Sequence, residues 1–86
     1  MTIKLNKQDY ELFCKFNVTH FLEVCEIKTI GEETTLNFNQ NKKKAFQRIL
    51  DEEIWRNGLD DDDNATELGW QFFKLQDRIL AQIATQ

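Results

Sequence analysis

Apolar residues recur at helical spacing in three stretches of the chain and at alternating spacing in one. In Lys7 to Phe16, Leu12, Phe13 and Phe16 share a stripe, with Gln8, Glu11 and Lys15 opposite; this predicts a helix with Asn6 as its N-cap. From Phe21 to Phe38 the residues turn to Val, Ile, Thr and Phe. Cys25, Ile27 and Thr29 alternate with Glu26 and Lys28, and Thr34, Leu36 and Phe38 alternate with Thr35, Asn37 and Asn39, the period of half-buried strands. Ile30-Gly31-Glu32-Glu33 then serves as a hairpin turn. A first helix continued to Lys28 would also bring His20, Val24 and Ile27 onto the stripe of Phe13 and Phe16. An all-α bundle of three or four helices is therefore the competing reading. The β-branched residues between 24 and 35 favour strands.

The second half is more regular. Lys42 to Asn57 carries Ala45, Phe46, Ile49, Leu50 and Ile54 on one helical face, and Asn57-Gly58 has the chemistry of a C-cap. Asn64 and Glu67 have capping-box spacing, which starts a last helix at Ala65 and runs it to about Ala84. Leu68, Phe72, Leu75, Ile79 and Ile83 form its stripe, and Phe73, Leu80 and Ala84 widen that stripe to about half the wheel. The expected fold is a single α+β domain over residues 1–86, in the order α-β-β-α-α, with a β-hairpin packed on helices. Gly69 inside the last helix signals a close backbone approach, by the same chain or by a second copy. The wide arc of that helix would then support a homodimer.

With 86 residues, 41% of them hydrophobic, the chain is sized for one modest core. No apolar run reaches the roughly 20 residues of a membrane span and no signal-peptide pattern is present, so the expectation is a cytoplasmic protein. The sequence has no Ser and one His, no phosphate-cradling glycine loop and no metal-ligand spacing. Glu52 and Glu53 are neighbours on a helix and diverge by about 100°, so they cannot flank a substrate. The reading is a non-enzymatic protein with no cofactor. Cys14 and Cys25 lie in apolar surroundings as reduced, packed thiols, and His20 packs at the core edge; a Cys–His nucleophile would lack an orienting third residue.

Charge is unevenly spread. Residues 51–67 hold Asp51, Glu52, Glu53, Asp60, Asp61, Asp62, Asp63 and Glu67 against Arg56 alone, a local −7 in a chain of net −4. Lys42, Lys43, Lys44 and Arg48 form the opposing basic group, with Glu32 and Glu33 as their nearest neutralising acids in sequence. The lysines sit at a helix start and Asp51 to Glu53 towards its end, against the helix dipole, and such locally unfavourable choices tend to mark interaction sites. Asp60, Asp62 and Asn64 match the first ligand positions of a calcium loop. Ala65 and Gln71 then replace its glycine and its bidentate glutamate, so no metal site is assigned.

Trp55 and Trp70 lie off the main stripes of their helices and flank the acidic segment, and Glu53 intrudes on the Phe46, Leu50, Ile54 face. Tryptophan beside charge is typical of interface hot spots. The expected function is a small acidic protein-binding module, of the inhibitor, immunity or regulatory kind, that engages a basic protein partner. Its candidate surface is Asp51, Glu52, Trp55, Asp60, Asp61, Asp62, Asp63 and Trp70. The alternative is a small nucleic-acid-binding or transcription-regulatory protein that uses Lys42, Lys43 and Lys44. The nearby acids weigh against it by repelling phosphate.

Overall fold

A computed structural model describes residues 1–86. The chain runs β1 (Thr2–Leu5), α1 (Lys7–Phe13), α2 (Val18–Leu22), β2 (Glu26–Ile30), β3 (Glu33–Asn37), a 3-10 turn (Gln40–Lys42), α3 (Lys43–Gly58) and α4 (Glu67–Ala84). It is an α+β domain in which a three-stranded antiparallel sheet of order β1-β3-β2 packs against helices. The all-α alternative is thereby overturned. The hairpin forms with Ile30 opposite Glu33 across Gly31 and Glu32. Gly31 takes a φ of 63°, as the first central residue of a type II′ hairpin turn does.

Two elements escaped the sequence reading. β1 pairs Ile3 with Leu36 and Leu5 with Thr34, adding a third strand. The expected helix from Lys7 to Phe16 stops at Phe13, and a separate α2 follows. Asn6 does cap α1, accepting a hydrogen bond from the Asp9 amide at 2.8 Å. The break after Phe13 re-aims the chain so that the Phe21 ring packs, tilted by 50°, with its centroid 4.8 Å from that of Phe13 in the core. A continuous helix would have swung Phe21 away from the stripe of Phe13 and Phe16.

Sixteen buried apolar side chains make one core. Phenylalanines tie its layers together. Phe21 meets Phe46 at 5.6 Å, Phe46 stacks on Phe38 at 4.6 Å, and Phe16 meets Phe72 at 4.6 Å. These contacts join α2, α3 and α4 to the segment between α1 and α2 and to the residue that follows β3, and each aromatic pair adds roughly 0.5–1.5 kcal/mol beyond area burial. Glu53 is 1% exposed within this core. Its carboxylate meets His20 Nδ1 at 2.7 Å and accepts from Asn57 Nδ2 at 2.9 Å, with Arg56 at 3.7 Å. His20 thus pins α2 to α3 as the partner of a buried acid, and it is not simply a ring at the core edge.

The two edges of the sheet are treated differently. On β1 the side-chain amide of Gln82 accepts from Lys4 N and donates to Lys4 O, both at 2.8 Å. Gln86, one turn on, bonds Thr2 N and Thr2 O in the same way. Gln82 of α4 and Gln86 just beyond its C-cap therefore stand in for a fourth strand. Nothing comparable covers β2.

α3 and α4 run antiparallel and touch backbone to backbone where Gly58 meets Gly69. A Cβ built on Gly69 would lie 2.0 Å from Gly58 O and 3.0 Å from Gly58 Cα. Gly58 is the last residue of α3 and keeps a negative φ, so the glycine serves this approach and not a left-handed C-cap. The approach is made within one chain, which leaves no room at Gly69 for a second copy. Gly69→Ala should cost about 3 kcal/mol, despite the better helix propensity of alanine, because backbone on the facing helix cannot yield to the methyl group. Denaturant unfolding checks this; a midpoint equal to or above that of the parent would refute the contact.

Candidate functional site

The glycine contact fixes which residues of α3 and α4 face each other. Trp55 lies three residues before Gly58, and Phe73 four after Gly69. Their rings meet at 6.1 Å with an interplanar angle of 80°. Trp70, one turn before Phe73 on α4, meets the same ring at 5.9 Å and 61°. The two tryptophans that flank the acidic segment in sequence thus converge on one phenylalanine. They remain 53% and 60% exposed, while Phe73 is half-buried beneath them. Edge-to-face packing of this kind holds indoles in place and leaves their faces available.

Acids border the cluster on both sides. Asp51 stands one helical turn before Trp55 and accepts a hydrogen bond from Gln76 of α4 at 3.3 Å; Glu52 beside it is exposed. Beyond Gly58 the loop to α4 is closed by an isolated bridge between Leu59 and Ala65. Asp60 organises that loop. Its Oδ1 accepts from the amides of Asp62 at 2.9 Å and Asn64 at 3.0 Å, and Asp60 N donates to Asn64 O. Asp63 takes a φ of 60°, which short polar side chains tolerate better than most. Asp60 is therefore committed to loop structure, whereas Asp61, Asp62 and Asp63 project their carboxylates into solvent. No three of the His, Cys, Asp or Glu side chains are grouped to hold a metal ion.

The start of α4 differs from expectation. Thr66, not Asn64, is the N-cap, and its Oγ1 accepts from Gly69 N at 2.9 Å. Thr66 also donates twice to Gly58 O, through N at 3.0 Å and Oγ1 at 3.2 Å. Asn64 is occupied inside the aspartate loop, so the helix begins only after the chain has been tied back to α3. Glu67 becomes the first helical residue and no longer fits a capping box.

The basic group stands apart. Lys42, Lys43 and Lys44 mark the opposite end of the 16-residue α3, roughly 20 Å from the aspartate loop at 1.5 Å per residue, and they enter no ion pair. The expected pairing with Glu32 and Glu33 is not made: those acids lie at the hairpin turn, and Glu33 instead approaches Lys4 at 4.0 Å. The separation exceeds the Debye length of about 8 Å, so the loop acids do not cancel the field of the lysines.

Phe73 is the site residue the sequence reading missed, having been assigned to the widened arc of α4. The pair Gly58 and Gly69 carried the signal, since an antiparallel contact there sets Trp55 across from Phe73. The cysteines divide as well. Cys25 is buried, and burial pushes its thiol from the usual value near 9 up to about 11. Cys14 is exposed, which corrects the expectation that both are packed. No family model matches this sequence, and no curated protein and no solved structure matches it significantly. No helix is long and apolar enough to cross a membrane.

Two measurements follow from this geometry. Caesium should quench the tryptophan emission more efficiently relative to iodide than it does for free tryptophan amide, because carboxylates concentrate the cation and repel the anion. The preference should shrink when Asp61, Asp62 and Asp63 are changed to Asn; equal ratios in both proteins would contradict the acidic setting. Towards a thiol reagent near neutral pH, Cys14 should react promptly and Cys25 only on unfolding. Cys25 ionises in the unfolded chain near pH 9 but in the folded one only near 11. Its contribution to stability is therefore intact below about pH 9 and is lost as pH rises to 11, a loss that Cys25→Ala should remove.

Proposed function

We propose that the protein is a non-enzymatic binding module that captures a basic protein partner on the face formed by α3, the aspartate loop and α4. The observation that carries this reading is the convergence of exposed Trp55 and Trp70 on Phe73, within a border of Asp51, Glu52, Asp61, Asp62 and Asp63. Large exposed aromatics supply hot-spot area at low entropic cost. Indole faces also bind Arg and Lys side chains directly through cation–π contacts. The surrounding carboxylates draw such a partner in and set the encounter rate. Aromatic anchor and acidic border thus favour one chemistry of ligand, a surface rich in Arg and Lys with an apolar centre.

The test is affinity capture from the source cell at low and high salt, followed by kinetics with the captured protein. A basic protein should be retained at low salt and lost at high salt. Changing Asp61, Asp62 and Asp63 to Asn should slow association and flatten its salt dependence, whereas Trp70→Ala should speed dissociation. Capture indifferent to both sets of changes would overturn the proposal. So would tight duplex DNA binding that disappears when Lys42, Lys43 and Lys44 become Gln, since that places the function at the other end of α3.

A further inference from the structure

The sheet has one closed edge and one open edge. β3 turns the backbone N–H and C=O groups of Thr34, Leu36 and Phe38 towards β1, as the exchange between Phe38 and Met1 shows, and those of Glu33, Thr35 and Asn37 towards β2. In an antiparallel ladder hydrogen-bonded pairs alternate along each strand, so Ile27 and Thr29 of β2 direct their backbone groups away from β3. No side chain or neighbouring strand meets them, whereas the equivalent groups of Thr2 and Lys4 are met by Gln86 and Gln82. Large apolar side chains lie exposed beside this open edge. Ile30 at its end is 71% exposed, and Leu22, just before it, 59%.

We propose that β2 pairs antiparallel with β2 of a second copy, joining two three-stranded sheets into one of six strands. The free groups of Ile27 and Thr29 permit three registers, and with the two-fold axis at Thr29 the Lys28 side chain would face Ile30 of the second copy without a counter-charge. With the two-fold axis at Lys28, the two Lys28 side chains would stand directly opposite, where like charges repel. With the axis at Ile27, Ile27 meets Ile27 of the second copy, and Glu26 meets Lys28 in both directions. Charge complementarity selects the register about Ile27. A charged residue on an edge strand usually discourages pairing; here Glu26 supplies Lys28 with a counter-charge in one arrangement only. The interface lies on the sheet, so it leaves the aromatic face of α3 and α4 open in each copy and does not depend on what that face binds.

Sedimentation of the full chain between about 10 µM and about 1 mM, the range of a small weak interface, reads the association. The mass should rise from 10.3 kDa towards twice that value. Lys28→Glu sets acid against acid and should weaken the dimer at least about tenfold, with an unchanged far-UV spectrum. Glu26→Lys combined with Lys28→Glu exchanges the charges and should restore it. Amide exchange at Ile27 and Thr29 should slow at high concentration in the unmodified protein, a readout that needs no variant. A monomer throughout that range, a dimer indifferent to Lys28→Glu, or a double variant that fails to recover would each overturn the proposal.

Discussion

Two glycines with no side chains between them let α3 and α4 approach until the Gly58 carbonyl lies within bonding range of the start of α4. That closeness governs what surrounds it. Gly58 O accepts from both N and Oγ1 of Thr66, and Thr66 in turn caps the amide of Gly69. The helix crossing, the loop closure and the first turn of α4 are thus one linked hydrogen-bonded unit. The same register places Trp55 across from Phe73 and Asp51 across from Gln76. A larger residue at either glycine would separate the helices and disperse the aromatic cluster, so the candidate interface depends on two residues that take no part in it.

Much of the fold was legible because strong periodicity leaves little choice. α3 and α4 carry apolar stripes several turns long, and their observed bounds differ from expectation by one or two residues. The hairpin was legible for the opposite reason, a run of β-branched residues with a glycine where the turn needs positive φ. The failures share a scale. β1 is four residues and α2 five, too short for a period to declare itself, and both exist because of distant partners: β3 and the two glutamines for β1, Glu53 and the phenylalanine core for α2. The cap of α4 misled for a related reason. Asn64 and Glu67 have the right spacing, but the demand of Asp60 for the Asn64 amide and carbonyl is invisible until the loop is closed. In the candidate site, Trp55, Trp70 and the acids could be named from sequence. Their convergence could not, because it follows from a helix register.

The distribution of charge acquires a spatial meaning in the fold. α3 separates a basic end from an acidic end, with Glu53 buried between them, hydrogen-bonded to His20 and Asn57 and 3.7 Å from Arg56. A buried acid held in this way specifies how α2 docks more than it adds stability, since its desolvation offsets much of the attraction. The exposed acids have no such constraint. Asp61, Asp62 and Asp63 are held in one loop by Asp60 and face solvent beside indoles already packed in place, so little ordering remains to be done when a partner arrives.

The claim that this register builds one working face is tested most directly by the two indole N–H resonances in an amide correlation spectrum, recorded while an arginine-rich peptide is added. Both indoles and the amides of Asp61, Asp62 and Asp63 should shift together along a single saturation curve, and added salt should reverse the shifts. Movement of only one indole, or shifts confined to Lys42, Lys43 and Lys44 and the sheet, would show that Trp55, Phe73 and Trp70 do not act as one surface.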